Sequence, residues 1–585
     1  MKSHNILRYV CARLAALGAC LVLVGVCPLE QAWAGVHLSG LDERQQKNVR
    51  AHLSLTSAKC DSARGRIERL YRDSNQEIRT ALRALGYYEP AITGSLNWDD
   101  ECWQANYEIV PGNPVRYRNV DLRFDPLVGA DDAFNARHTA SAPAPGDILD
   151  HGLYEAFKSS LLRASTFAGF FDAEITASEV VVDRDAHAAD VNMEFSSGIK
   201  YRFGDVSFTE GILRPRLLER YSDIQPGDPY SAKLINQLYE ALNGSTYFAS
   251  VLIVTDPLDT EAKTVPVNVV LTPAKRRVYS VGTGYTTDTG AHGRLGFMNR
   301  RMNRRGHQLE AKLYSSTVRS EINAAYRWPR GDPRYEWFSV VAGAQTEETE
   351  TSQHDKYKIG VLRTRKRKAS WLETQYVDFE HEDFTVADQT STSKLLIFGT
   401  NWETARGRKL SRVSNGYRLG IDLRGASESL ASDTSFLQLR TNAKWIRSFG
   451  SKTRVLARSS IGTTRIDEFT ELPASVRFFA GGDRSVRGYE FESLGPVDAD
   501  GDVIGGSHQI DASVEFDYLF KDQWSVAAFA DIGSAFNDDD IEWSTGVGTG
   551  IRWYSPVGPI RLDFAHPLDD PGNDLRIHIS LGPDL

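Results

Sequence analysis

The residue in this chain whose setting best fits chemistry at a fixed place is Arg487. It stands in FFAGGDRSVRGYEFESLGP, residues 478–496, after Gly481-Gly482 and Val486 and before Gly488-Tyr489. The chemistry on offer is recognition of carboxylates. A guanidinium is planar, always charged, and presents a rigid fork of donors that fits two carboxylate oxygens at once. Glycines at these positions let a backbone pack closely where side chains would clash. Most of the segment is unsuited to a sheet and it separates two strand-like runs, so it reads as a long insertion built to dock. On composition alone it also fits a mobile surface loop.

Of the five cysteines, Cys11, Cys20 and Cys27 lie within the first 34 residues. There Lys2, Arg8 and Arg13 precede or flank an apolar run over residues 14–26, and Ala32-Trp33-Ala34 supplies small residues at a cleavage position. That is the pattern of a secretory signal peptide, read here as residues 1–34. A lipoprotein start at Cys20 is the alternative, and it would cut the apolar run in half. The exported chain then keeps Cys60 and Cys102 in an oxidising compartment, where a pair persists as a disulfide. Two free buried thiols are the other possibility. A bridge would close a loop of about forty residues and contribute on the order of 3–4 kcal/mol.

Other reactive patterns are missing. GxxxxGK followed by Ser or Thr, HExxH and CxxC do not occur, so nucleotide, zinc-protease and dithiol readings have no starting point. In DADGD, residues 498–502, the glycine comes too early for a calcium loop. No catalytic, cofactor-binding or metal-binding residue is therefore expected, and no enzyme activity. A net charge of −9 on 585 residues is too modest to imply a nucleic-acid partner.

The elements that must carry Arg487 and the cysteines come in two textures. Before residue 275 the chain repeats itself: LRALGYYEPAI from Leu82 resembles LRASTFAGFFDAEI from Leu162 and, more loosely, LYEALNGSTYFASVLI from Leu238. The aromatic pairs Tyr87-Tyr88, Phe170-Phe171 and Tyr247-Phe248 stand 83 and 77 positions apart. Each unit reads as a helix, a short turn holding the aromatic pair, and alternating strands. Such α+β units form a modular arm whose strand edges could pair with an extended peptide; inert spacers are the alternative.

From about Arg277 strict alternation takes over. Ile510, Ala512, Val514, Phe516 and Tyr518 alternate with Asp511, Ser513, Glu515 and Asp517, and Ile560, Leu562 and Phe564 with Arg561 and Asp563. Trp328, Trp337, Trp402, Trp445, Trp524, Trp553 and Tyr554 fall near strand ends, as in the aromatic girdles of membrane barrels. About 16 runs of about 19 residues each, counting the turn, suit a transmembrane barrel better than a soluble sandwich.

These features together resemble the superfamily of outer-membrane assembly and secretion proteins built from POTRA domains and a barrel. ALGYYEP, FFAGGDRSVRGY, WYSPVGPIRLDFAHP and the closing LGPDL are similar to segments of its TamA branch. The resemblance implies a transmembrane β-barrel of about 16 antiparallel strands preceded by three α+β POTRA domains. The domains would be residues 35–113, 114–199 and 200–274, then a barrel over 275–585 with a lumenal loop at 467–508. It further implies that the loop motif Val486-Arg487-Gly488-Tyr489 lies inside the barrel, with Arg487 held by Glu515 and Asp531 on the inner wall. Implied too are the outer membrane of a Gram-negative bacterium with the POTRA domains in the periplasm, contact with outer-membrane lipid, and unfolded outer-membrane or autotransporter-type clients. A TamB-like, inner-membrane-anchored periplasmic partner completes the set, with no cofactor. A two-partner-secretion transporter and a BAM-type core insertase are the alternatives within the superfamily. The last strand, at about residues 575–581, is short and runs into Gly582-Pro583, which cannot extend a ladder, so the seam between first and last strands is expected to be weak.

Overall fold

The computed structural model of the chain describes residues 35–98, 102–132, 134–135, 142–256, 258–367, 370–407, 412–537, 541–555, 558–570 and 575–581. The signal-peptide segment and Gly582-Pro583 lie outside the described residues. The first two repeats form one compact unit, and the third repeat with the barrel forms another.

The first repeat runs β1 (Gly35–Ser39), α1 (Glu43–His52), α2 (Arg64–Ala84), β2 (Ala91–Trp98) and β3 (Trp103–Val110). Asp42 starts α1 through a reciprocal capping box: its carboxylate accepts from the Gln45 N–H at 2.8 Å, while the Gln45 side chain accepts from the Asp42 N–H at 3.0 Å. Helix α2 turns Ile67, Ile78, Ala81 and Leu82 onto the sheet, where Trp103, Tyr107 and Ile109 meet them. The second repeat repeats the theme with β4 (Arg116–Phe124), α3 (His151–Ala168), β5 (Glu174–Asp183) and β6 (Ala188–Ser196), Asp150 capping α3. The third has β7 (Arg202–Phe208), α4 (Ala232–Asn243), β8 (Phe248–Val254) and β9 (Thr264–Pro273).

In each sheet the strand last in sequence is central, with orders β1-β3-β2, β4-β6-β5 and β7-β9-β8. Strands β1 and β4 pair with it in parallel. Helix, aromatic turn and closing strand pair match the sequence reading; the opening parallel strand was not anticipated. The aromatic turns also serve as joints. Tyr87 packs on the first core, while Tyr88 packs on the second and bonds the His151 ring at 2.7 Å.

Cys60 and Cys102 form a disulfide with a sequence separation of 42. It ties the segment before α2 to the start of β3, and Cys102 lies in the first core. Replacing both cysteines by serine should lower the stability of this repeat by about 3–4 kcal/mol, read as urea-induced loss of hydrogen-exchange protection over residues 103–110. Unchanged protection would overturn the expectation.

Beyond Arg277 the described residues form one sheet of sixteen strands, β10 to β25, each joined to the next in sequence. Those used below are β10 (Arg277–Thr286), β11 (Gly290–Asn299), β20 (Thr453–Ile466), β21 (His508–Lys521), β22 (Trp524–Phe536), β23 (Ser544–Ser555), β24 (Gly558–Pro567) and β25 (Arg576–Leu581). Along β22, Ser525, Ala527, Phe529 and Asp531 are buried inward while Trp524 and Val526 are exposed outward. Val281, Leu295, Phe516 and Ile551 are exposed in the same way. An aqueous surface would not tolerate such a belt, and a bilayer covers it. No helix of the described residues is long and apolar enough to cross a membrane, so the strands make the crossing. Trp524 and Trp553 stack in the outer belt with ring centroids 5.9 Å apart. Tyr554, expected beside them, turns inward instead, because successive strand residues face opposite sides; its hydroxyl donates to Asp517 at 2.6 Å.

The third repeat is fastened to the rim from which β10 departs. Arg334 forks onto Asp223 at 2.6 and 2.7 Å, and Gln308 donates to the Thr246 hydroxyl at 2.7 Å. The Arg334 fork holds the Asp223 carboxyl below the usual carboxylate range.

Candidate functional site

Strand β20 ends at Ile466 and β21 begins at His508, and the chain between them folds back into the barrel. Small bridges shape it, Phe478 with Gly506, Ala480 with Leu494 and Val497 with Val503. The wall makes room with glycines. A methyl at Gly546 would stand 1.9 Å from the Arg487 carbonyl oxygen, and one at Gly533 would stand 2.8 Å from Val486. Gly488 itself has φ +103°, a conformation that side-chain-bearing residues rarely adopt. Val486, Arg487 and Tyr489 are all buried. The DADGD segment is a tight turn in which the Asp498 carboxylate accepts from the N–H groups of Asp500 and Asp502.

Arg487 is 5% exposed and uses its whole fork. Nε and Nη2 donate to the two Asp531 oxygens at 2.7 and 2.9 Å, and the Arg487 backbone N–H adds a third bond to that carboxylate at 3.1 Å. Nη1 donates to Glu515 on β21 and to Asp563 on β24, both at 3.1 Å. The guanidinium lies over the Phe529 ring, 3.4 Å from its centroid. The structure thus brings together Arg487, Glu515 and Asp531. It adds Asp563 and a second cation, Arg552 on β23, which donates to Glu515 at 3.0 Å and also pairs with Asp563. Arg458 on β20 shares Asp531 at 3.4 Å and donates to the loop carbonyls of Asp483 and Ser485. Asp563 was legible as a polar-face residue in the RLDF alternation, but nothing in that pattern marked it as a partner of Arg487. Three carboxylates facing three arginines, each hydrogen-bonded to its neighbours, give a rigid brace between the loop and the wall.

The same loop reaches the seam. Among the described residues β10 and β25 share no ladder; their backbones meet where the Thr287 N–H donates to the Ile579 carbonyl at 3.3 Å and the Ile579 N–H donates to the Thr287 hydroxyl at 2.8 Å. Beside that contact the Asp483 N–H donates to Asp288, in the turn after β10, at 2.8 Å. The Asp483 carboxylate bonds His578 Nδ1 on β25 at 2.5 Å, and the Gly488 N–H donates to His578 Nε2 at 3.0 Å. Because Nε2 accepts, the ring is assigned the tautomer with its proton on Nδ1. Arg576 on β25 pairs with Glu490 of the loop. Asp288, Asp483 and His578 each offer a donor atom within 4.8 Å of the others, and those atoms are engaged with one another and with the loop backbone. The lumenal loop therefore clasps the first hairpin and the last strand where a ladder is lacking.

Comparison with known proteins agrees with this architecture. The Omp85 superfamily domain matches residues 279–584, the POTRA domain described as TamA domain 1 matches residues 35–111, and the POTRA family described as surface antigen variable number repeat matches residues 201–274. The chain is 36% identical over 117 residues to the outer membrane protein assembly factor BamA of Nitratidesulfovibrio vulgaris, covering 18% of this chain and 14% of that protein. It is 30% identical over 151 residues to BamA of Neisseria meningitidis, covering 19% of each. The aligned regions thus span less than a fifth of either relative. The solved structure of BamA from Haemophilus ducreyi lacking POTRA domains 1–3 superposes with a TM-score of 0.67 at 15% identity, over 79% of this chain and 99% of that one. Its barrel, repeats and lumenal loop, together with a domain match over more than half its length, make this chain a member of the Omp85 superfamily.

Proposed function

We propose that the chain is an outer-membrane assembly and translocation factor of the TamA type, which inserts or secretes outer-membrane and autotransporter-type clients through its barrel seam. The observation that carries this reading is that, among the described residues, β10 and β25 share no ladder. Unpaired backbone groups at a sheet edge template an incoming strand, and a seam held by the Thr287–Ile579 contact and one loop opens at lower cost than a full ladder. On this reading the drive comes from client folding and from local thinning of the bilayer. The match of residues 35–111 to TamA domain 1 supports this branch over a BAM-type insertase. The three repeats exceed the two typical of two-partner-secretion transporters. On the same reading the first repeat docks a TamB-like periplasmic partner.

The test is reconstitution of the full chain in liposomes with a urea-unfolded autotransporter barrel, followed by protease protection of the client. Client folding at least tenfold above protein-free liposomes is expected. Background folding with steady ion conductance would replace this reading with that of a passive pore.

A further inference from the structure

We propose that the junction of the third repeat with β10 is a binding site for an anionic phospholipid, headgroup in a basic cleft and acyl chains along the first barrel strands. The cleft, of about 460 Å³, is lined by Phe248 of β8 together with Lys275, Arg277, Val278, Tyr279 and Arg300. It lies at the rim where β10 leaves the third repeat, since Arg277 opens β10 and pairs with Asn299, the last residue of β11, which Arg300 follows.

Three observations point to this ligand. First, the charge is one-sided. Between residues 263 and 309 the only acid is Asp288, at the far end of β10, against Lys275, Arg276, Arg277, Arg294, Arg300, Arg301, Arg304 and Arg305. None of Lys275, Arg277 and Arg300 has an ion-pair partner among the described residues, and the Arg300 Nε is buried without an acceptor. Cations that line a cleft without an acid to pair with favour an anionic ligand there.

Second, the cleft opens onto the lipid face. Arg277, Tyr279 and Val281 share one side of β10, and Tyr279 and Val281 are 69% and 77% exposed. Across the register stand Phe297 and Leu295, the Tyr279 and Phe297 rings 5.3 Å apart. An apolar strip that ends in arginine matches an acyl chain that ends in phosphate; a free soluble anion would have no use for the strip. Third, a tyrosine at the boundary is the usual interfacial anchor, fixing the depth at which the cations meet the headgroups. Because the strip belongs to the first strand, the bound lipid lines one side of the seam.

The experiment is native mass spectrometry of the full chain in detergent, titrated with phosphatidylglycerol or with phosphatidylcholine of the same chains. Phosphatidylglycerol should be retained preferentially. At about a fivefold effect per basic residue, the triple variant Lys275→Gln/Arg277→Gln/Arg300→Gln should bind it on the order of 100-fold more weakly. Arg300→Gln alone should lose about fivefold, which keeps the test informative if the triple variant folds poorly. The pair Arg304→Gln/Arg305→Gln, basic but outside the cleft, should change binding less than about threefold. Equal retention of both lipids, an equal loss in the Arg304/Arg305 variant, or complete displacement by an equal concentration of inorganic phosphate would overturn the proposal.

Discussion

Arg487→Ala should reduce client assembly by at least tenfold while leaving the POTRA arm folded. From sequence, a wet lumen implies a modest loss. The structure raises it, because Arg487 is 5% exposed and sealed beneath by Phe529. Breaking a buried pair by deleting one partner typically costs about 3–5 kcal/mol. The lower end is expected here, since Asp531 keeps Arg458, and Glu515 and Asp563 keep Arg552. Arg487→Lys retains the charge but not the fork, and Lys cannot reach Asp531, Glu515 and Asp563 together, so rescue should be partial. Asp563→Asn should fall between wild type and the alanine variant. Heat-modifiable migration of the barrel and protease access to residues 467–507 report on the brace; client protease protection reports on activity. Full activity of Arg487→Ala, or an unchanged loop in that variant, would defeat the assignment.

The other large effect is expected from locking the seam. Thr287 and Ile579 are the residues whose backbones meet there, so Thr287→Cys with Ile579→Cys places the bridge at the point of contact. Val281 lies six residues earlier along the chain and pairs with Leu295 in β11. Oxidised, the Thr287/Ile579 pair should drop client assembly to background, and reductant should restore it. A Val281→Cys/Leu295→Cys bridge joins strands that are already laddered and should leave assembly intact. Undiminished assembly in the fully oxidised seam variant would rule out passage between β10 and β25.

The fold was largely legible because a strand with one wet face and one apolar face has an unmistakable period of two. Ile510 to Tyr518 and Ile560 to Phe564 announce both the strands and their inward acids. The parallel openings β1 and β4 were not legible, since each pairs with a strand about seventy residues away and carries no turn signal to betray it. At the site, glycine spacing singled out Arg487, and family resemblance supplied Glu515 and Asp531. Asp563, Arg552 and the clasp of Asp288, Asp483 and His578 escaped, because they converge from five separate segments. Convergence of that kind is set by barrel closure and by the path of the loop, neither of which leaves a local mark.

The loop's position in the chain has a kinetic corollary. Residues 467–507 precede every strand that supplies an Arg487 carboxylate, and β25 follows them all. The loop is fixed only once these carboxylates meet Arg487, so the brace and the alignment of the C-terminal strands are set together. A slip of β24 by one residue would turn Asp563 toward the bilayer and Phe564 toward the guanidinium, an error that costs a desolvated charge at once. The correct alignment is the one in which Glu515, Asp531, Asp563 and His578 all find the loop. The segment that braces the finished barrel thereby acts, during biogenesis, as a gauge that proofreads the alignment of its final strands.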